Sequence, residues 1–339
     1  MGTALDALMK EINSKQKEKI FTHGLQEYDY TRIPFTSPKM NYCTYGGIPV
    51  GKITEFFGKE HGGKTTSALD IVANFQNMFP DRDVLYVDSE NTLDAEWARK
   101  IGVDLDRIYL VQPQSQSAED LFKIILDAIE SGELGLWVLD SIGALISKQA
   151  MEKEVDEATY GGVSKPLTQF GGKAEMLMKK YNCTGIGINQ VRDDFNSTWG
   201  GYKTPGGNAW KHYCAVRMEF SKGSYIDEKG KPLNNRAANP AGNIVMMTMV
   251  KNKTCKPDRR TGQYTLNYVE GIDYLKDLTD TALLYNIVDQ HGSWFSILDI
   301  ETGEILQDKI QGMAGLYKFL EENTEILERV EHLIEAKIF

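Results

Sequence analysis

The chain's apolar positions change rhythm along its length. Leu5, Leu8, Met9 and Ile12 fall at helical spacing within a charged segment, which predicts a short amphipathic helix in an N-terminal arm over 1–33. Residues 34–50 carry Pro34, Pro38, Gly46, Gly47 and Pro49 and read as loop and turn. From 51 onward short apolar runs at Ile53–Phe57, Val84–Asp88, Ile108–Val111, Leu136–Asp140 and Gly185–Asn189 predict strands. Helical patterns such as Ala118–Ile129 and Thr168–Tyr181 lie between them. Strands alternating with helices imply βαβ units and a mostly parallel sheet. Val216–Phe220, Ile244–Lys251 and Gln263–Tyr268 then predict a β-rich stretch, with turn-rich residues at 223–242 and 254–262. Near Gly271 the pattern changes again: Asp280–Val288 reads as helix, Trp294–Leu298 as strand, and Ala314–Leu320 and Thr324–Ile338 as helices.

This pattern divides the 339 residues into an arm (1–33) that could pack on its own domain or on a neighbouring subunit in an oligomer, an α/β core (34–270) and a small α/β C-terminal domain (271–339). A hydrophobic fraction of 41% and a charged fraction of 25% are ordinary for a soluble globular chain. No apolar run reaches the ~18 residues of a membrane span, and Met1 to Lys19 lacks a signal-peptide core. Cys43, Cys183, Cys214 and Cys255 are scattered, which favours a reduced cytoplasmic compartment and no zinc site. The five histidines are isolated and read as structural or surface residues. The net charge of −10 argues against wholesale attraction to nucleic acid, though not against a local basic groove.

The chemistry concentrates in Gly58-Lys59-Glu60-His61-Gly62-Gly63-Lys64-Thr65, a complete G-x-x-x-x-G-K-T loop followed by Thr66. A glycine-rich turn can arise by chance, but here a strand precedes it and a helix-permissive stretch follows. That context makes it a phosphate cradle: backbone N–H groups converge, and the helix N-terminus adds positive potential. Lys64 would reach the β- and γ-phosphates of ATP, and the Thr65 hydroxyl would ligate Mg2+. Asp140 ends an apolar strand, as a carboxylate that orients Mg2+ does, and Ser141 follows it near the γ-phosphate. Glu90 lies just past another strand and could position and deprotonate the attacking water. On position alone it reads equally as a surface carboxylate.

Taken together, these motifs resemble the RecA family of homologous recombinases, in order over roughly 34–339. The resemblance implies a RecA-like P-loop core with Glu90 as general base. It implies adenine contacts from Asp94 and Trp97, where the family usually has Asp and Tyr. Ile188-Asn189-Gln190 resembles the switch in which Gln senses the γ-phosphate, and Gly206-Gly207-Asn208-Ala209 resembles the segment closing the DNA loop that follows. Val250-Lys251-Asn252-Lys253 resembles the paired lysines that reach a neighbouring subunit's ATP. The residues from Gly271 resemble the bacterial C-terminal domain.

The main DNA loop would span 191–206. It is long and unlike regular structure. Arg192 and Lys203 would pair with phosphates, while Phe195, Trp199 and Tyr202 would stack on bases or else anchor the loop to its own domain. A first DNA loop is expected near 151–162, where backbone N–H groups beside Gly161-Gly162 would meet phosphates despite acidic neighbours. Three departures stand out. Asp193 and Asp194 put negative charge in the main loop, His212 stands where bacterial members typically carry Phe, and the sequence ends at Phe339 without an acidic tail. With the divergent arm, this points to a bacteriophage or mobile-element version in a bacterial cytosol. The expectation is a DNA-dependent, Mg-dependent ATPase that forms filaments on single-stranded DNA and exchanges strands with homologous double-stranded DNA. A RecA-core hexameric helicase and an ATP-gated filament accessory are the alternatives.

Overall fold

The computed structural model describes residues 4–15, 30–153, 162–193, 202–234 and 236–338. The residues before Arg32 form a unit of their own, in which Ala4–Lys15 is a helix without a buried residue. Leu5 and Leu8 stand exposed on it.

The remainder, Arg32–Phe339, is a second unit built on one ten-stranded sheet. Its parallel part runs in the spatial order Val216–Ile226, Ile53–Gly58, Thr184–Gln190, Leu134–Asp140, Asp83–Asp88, Ile108–Val111. Gly242–Asn252, Thr261–Asn267 and Gly271–Ile272 extend it antiparallel, and Pro232–Leu233 pairs off the path. Because successive side chains alternate across a strand, the middle strands Asp83–Asp88 and Leu134–Asp140 feed two cores. Tyr86, Val138 and Ile188 join Leu69 and Val72 of helix Lys64–Met78 on one face. Leu85, Val87, Trp137 and Leu139 join Ile125 of helix Ala118–Glu130 and Phe170 of helix Ser164–Tyr181 on the other. Each large apolar side chain so buried contributes about 1.5–3 kcal/mol, so the strands between these helices are the best-anchored part of the chain. Their carboxyl ends carry the functional motifs.

The edge opposite those ends is closed by two arginines. Arg82 donates to the carbonyls of Asn182, Gly132, Leu134 and Tyr181, and Arg107 to those of Gln76, Phe79 and Arg82.

Residues beyond the central sheet form a separate apolar cluster that includes Leu278, Phe295, Leu316 and Leu333. Helix Tyr274–Leu284, an antiparallel sheet of Val288–His291, Trp294–Leu298 and Ile305–Gln311, and helices Gly312–Glu322 and Thr324–Ile338 make it up.

Three expectations fail. The stretch 34–50 is not all loop: Pro38–Thr44 is a helix, because proline at a first helical position costs no hydrogen bond and Ser37 caps the N-terminus. The helix expected at Asp280–Val288 instead occupies Tyr274–Leu284; Asn286, at φ 58°, turns the chain, and Val288 opens a strand. The segment 191–206 is not irregular throughout, since Arg192–Asp193 pairs antiparallel with Tyr202–Lys203.

Candidate functional site

Ile53–Gly58 is buried along its whole length and delivers the chain to the glycine-rich loop. Gly58 has φ 148°, and a Cβ there would lie 2.0 Å from the Phe220 carbonyl oxygen on the adjacent strand. Only glycine fits so close to a backbone. Gly63, left-handed at φ 89°, precedes helix Lys64–Met78 and supplies no side-chain cap. The first-turn N–H groups therefore stay available to an anion, where the helix dipole favours one. Lys64 is buried and folds back, its Nζ donating to the Gly58 carbonyl at 3.1 Å and the Lys59 carbonyl at 2.7 Å. Burial pulls its ammonium below the usual lysine range, partly offset by the charges of Asp140, Glu90 and Glu60.

Asp140 ends the fully buried strand Leu134–Asp140, in register with Asp88. Its Oδ2 accepts from Thr65 Oγ1 at 2.8 Å and from the Tyr86 hydroxyl at 3.0 Å. Burial pushes the carboxyl up to about 6; the Thr65 and Tyr86 hydrogen bonds pull it down, and the charges of Glu90 and Asp88 push it up. The Asp140–Ser141 peptide is cis. Ser141 Oγ donates to Glu90 Oε1 at 2.5 Å, and Gln190 Nε2 donates to the same oxygen at 2.9 Å. Lys64, Thr65, Asp140, Ser141, Glu90 and Gln190 thus lie in one contact chain at the strand ends. Among the described residues no group of three or more His, Cys, Asp or Glu gathers to hold a metal. The Thr65 hydroxyl and Asp140 carboxylate are hard oxygen donors, a small set that fits a cation which keeps waters and takes phosphate oxygens.

Beside the loop opens a cleft of about 520 Å³ lined by His61, Gly63, Thr66 and Trp97, and across from them by Lys222, Tyr225, Asn243, Leu266 and Tyr268. Trp97 Nε1 donates to Thr66 Oγ1 at 3.2 Å. Asp94 is engaged locally: it caps helix Ala95–Lys100 through the N–H groups of Glu96 and Trp97. Sequence reasoning missed the far wall. Its residues come from Val216–Ile226, the antiparallel strands beside it and the turn after them, and no local motif marks them.

Phe195 and Trp199 fall in 194–201, outside the described residues, as does Asp194; so do residues 154–161 of the first expected DNA loop. Of the rest, Arg192 donates to the Gly143 carbonyl at 3.2 Å, and the Tyr202 hydroxyl donates to Glu219 Oε1. Lys203 is exposed on the short ladder opposite Arg192. Gly206, left-handed at φ 101°, opens helix Gly207–Tyr213, and Gly207 and Asn208 are exposed on its first turn. The end of that helix receives the paired lysines. Lys251 Nζ donates to the carbonyls of Lys211, His212 (3.3 Å) and Cys214 (2.7 Å), and Lys253 Nζ to that of His212 at 3.3 Å. Cations suit the carboxyl end of a helix dipole. Burial, then the neighbouring Lys253 charge, draws Lys251 below the usual lysine range. The exposed His212 side chain shares this corner.

No helix among the described residues is long and apolar enough to cross a membrane. Comparison with known proteins gives a consistent result. The profile of the RecA N-terminal domain matches residues 3–273. Protein RecA of Ruminococcus albus is 33% identical over 310 residues, covering 91% of this chain and 73% of the relative. Protein RecA of Aquifex pyrophilus is 33% identical over 333 residues (96% and 90%), and that of Clostridium acetobutylicum 32% over 339 (98% and 91%). With its glycine-rich loop, its Asp140 strand and its Gln190 strand in register in one sheet, and with the family profile matching 3–273, the chain belongs to the RecA family.

Proposed function

We propose that this protein assembles on single-stranded DNA with ATP and Mg2+ and exchanges strands with homologous double-stranded DNA. As a RecA-family recombinase it is a DNA-dependent ATPase of recombination and repair. The observation that carries the finer reading is the bridge in which Glu90 Oε1 accepts from both Gln190 and Ser141. It supports the reading because the carboxylate proposed to activate water and the amide proposed to sense the γ-phosphate meet in one hydrogen bond.

In this reading the uncapped helix start and Lys64 hold the ATP phosphates. Thr65 and Asp140 hold Mg2+, which supplies charge neutralisation at those phosphates. Trp97 and Thr66 form one wall for the base, and Asp94 orients Trp97 from the helix cap. Glu90 takes the proton of the attacking water. Gln190 exchanges its bond to Glu90 for one to the γ-phosphate and draws Val191 and the loop after it into an ordered state, which hydrolysis releases. Arg192, Lys203 and the aromatics of 191–206, with Gly206, Gly207 and Asn208 at its close, hold DNA by backbone and base faces, which suits any sequence. Lys251 and Lys253 leave the helix end to meet a neighbouring subunit's ATP, in a filament or ring to which the arm 1–33 also contributes. The site of action is the cytoplasm.

The test is steady-state ATP hydrolysis with and without single-stranded DNA across a salt series. Strong stimulation that fades as salt rises is expected. Hydrolysis indifferent to DNA overturns the coupling and leaves an accessory role.

A further inference from the structure

Glu55 sits in the phosphate-loop strand, fully buried, with Gly187 beside it on one neighbouring strand and Arg217 on the other. Gly187 leaves space: a Cβ there would lie 2.8 Å from Trp210 Cζ2. The indole fills that space and donates through Nε1 to Glu55 Oε1 at 3.1 Å. Asn189 Nδ2 donates to the same oxygen at 2.9 Å and also to the Pro205 carbonyl at 2.9 Å. On the other side Arg217 Nε donates to Glu55 Oε2, the guanidinium lies 4.6 Å from the Phe57 ring centre, and NH2 reaches Thr204 Oγ1 at 3.3 Å.

One carboxylate therefore ties together three things: the strand that leads into Gln190, the chain returning at Thr204 and Pro205, and the helix whose end holds Lys251 and Lys253. Charge-assisted bonds in a dry interior are strong and directional. Asn189 Oδ1 is buried without a partner among the described residues. A buried acceptor left unpaired is a cost that a shifted arrangement can relieve, so the cluster both fixes the loop root and has reason to move.

We propose that Glu55 is a positioning residue for DNA-dependent ATP turnover, holding both ends of the segment 191–203 to the phosphate-loop strand so that DNA at the loop and the Gln190–Glu90 contact move together. The inference rests on 191–206 being the DNA loop.

Glu55→Gln alone strands a buried guanidinium and risks the fold. The decisive variant is therefore Glu55→Gln with Arg217→Met, which removes the buried pair without leaving a lone charge. Three quantities are read: melting temperature, ATP affinity, and the single-stranded DNA concentration giving half-maximal stimulation of hydrolysis. The double variant is expected to melt within a few degrees of wild type and bind ATP within about twofold. It is also expected to need at least about tenfold more DNA, since a 1.4 kcal/mol loss of coupling is a factor of ten. A double variant with wild-type melting and wild-type DNA requirement makes the cluster merely structural and overturns the proposal. Should the double variant not fold, Trp210→Phe, which keeps the ion pair and removes only the indole bond, carries the test. A rise of threefold or more in the DNA requirement supports the proposal, and no rise overturns it. Arg192→Ala with Lys203→Ala, which removes both expected phosphate contacts, serves as the control for the underlying reading. If that chain binds DNA as wild type does, the DNA-loop reading falls, and this proposal with it.

Discussion

Gly58 and Gln190 stand opposite each other at the ends of two paired strands, yet the sequence holds them in place by opposite means. Gly58 is fixed by sterics: the Phe220 carbonyl lies where a side chain would begin, and the loop that follows is written in eight consecutive residues. Gln190 is fixed by polar bonds to distant residues. Its neighbour Asn189 meets Glu55 from 134 positions away, and Glu55 is met in turn by Trp210 at a separation of 155 and Arg217 at 162. A cradle set by contact with backbone has one shape and is ready before its ligand arrives. A strand end set by side-chain hydrogen bonds can trade partners. The Gly58 end is accordingly the rigid member of the pair, and the Gln190 end the one whose bonds can be exchanged, as the proposed switch requires.

That contrast can be broken in several ways, taken here from the largest effect down. Glu90→Gln should keep ATP and DNA binding while turnover falls roughly 10²–10⁴-fold, the usual yield of a general base; hydrolysis within tenfold of wild type removes Glu90 from the chemistry. Gly58→Ala should destabilise the protein by about 3–5 kcal/mol, because the obstructing atom is backbone and cannot swing aside. Thermal melting would read this as a fall of roughly 5 °C or more, and an unchanged melting point would contradict the steric account.

Asp140→Asn should act with a sign set by pH. Burial raises the folded carboxyl from 3.8 to about 6, so the folded state holds this proton more tightly than the unfolded chain does. The group's stabilising contribution is full below about 4 and lost as pH rises through about 6. The nucleotide-free Asn variant should therefore melt a few degrees above wild type at pH 8, a difference on the order of 1–3 kcal/mol, and lose that advantage near pH 4. It should also lose Mg-dependent hydrolysis. An advantage that grows on acidification would mean that Asp140 is stabilised as the anion. The smallest effect belongs to the Gln190 side. Arg192→Ala should lower the slope of log affinity for single-stranded DNA against log salt by about one, as the loss of one phosphate contact does. An unchanged slope would place Arg192 away from the phosphates.

What could be read from the sequence follows the same division. The parallel strands were legible because each is a short apolar run, and the phosphate loop because its requirements are local. Helix Pro38–Thr44 was missed because Pro38 and its neighbours look like breakers until Ser37 is recognised as a cap. The helix ending at Leu284 was displaced because Ala282, Leu283, Ile287 and Val288 are all apolar, and the left-handed turn at Asn286 that separates them has no strong signature. At the site, Thr65 and Asp140 were singled out by motif and strand position, and Glu90 through the family resemblance. Tyr86, Lys222, Tyr225 and Tyr268 were not, since they arrive from strands and turns whose adjacency appears only in the folded sheet. Glu55, an acidic residue within an apolar run, drew no expectation, because its partners lie more than a hundred positions away along the chain.

The two glycines of the switch strand have an optical consequence. Gly185 makes room for Trp137 as Gly187 does for Trp210, so two indoles lie over one strand in different surroundings. Trp137 Nε1 is buried without a partner among the described residues, whereas Trp210 donates to a carboxylate. Indole emission responds to the charge and polarity around the ring. If the loop root moves as proposed, the first tryptophan serves as an internal reference and the second as a gauge, read in a chain whose other three tryptophans are replaced.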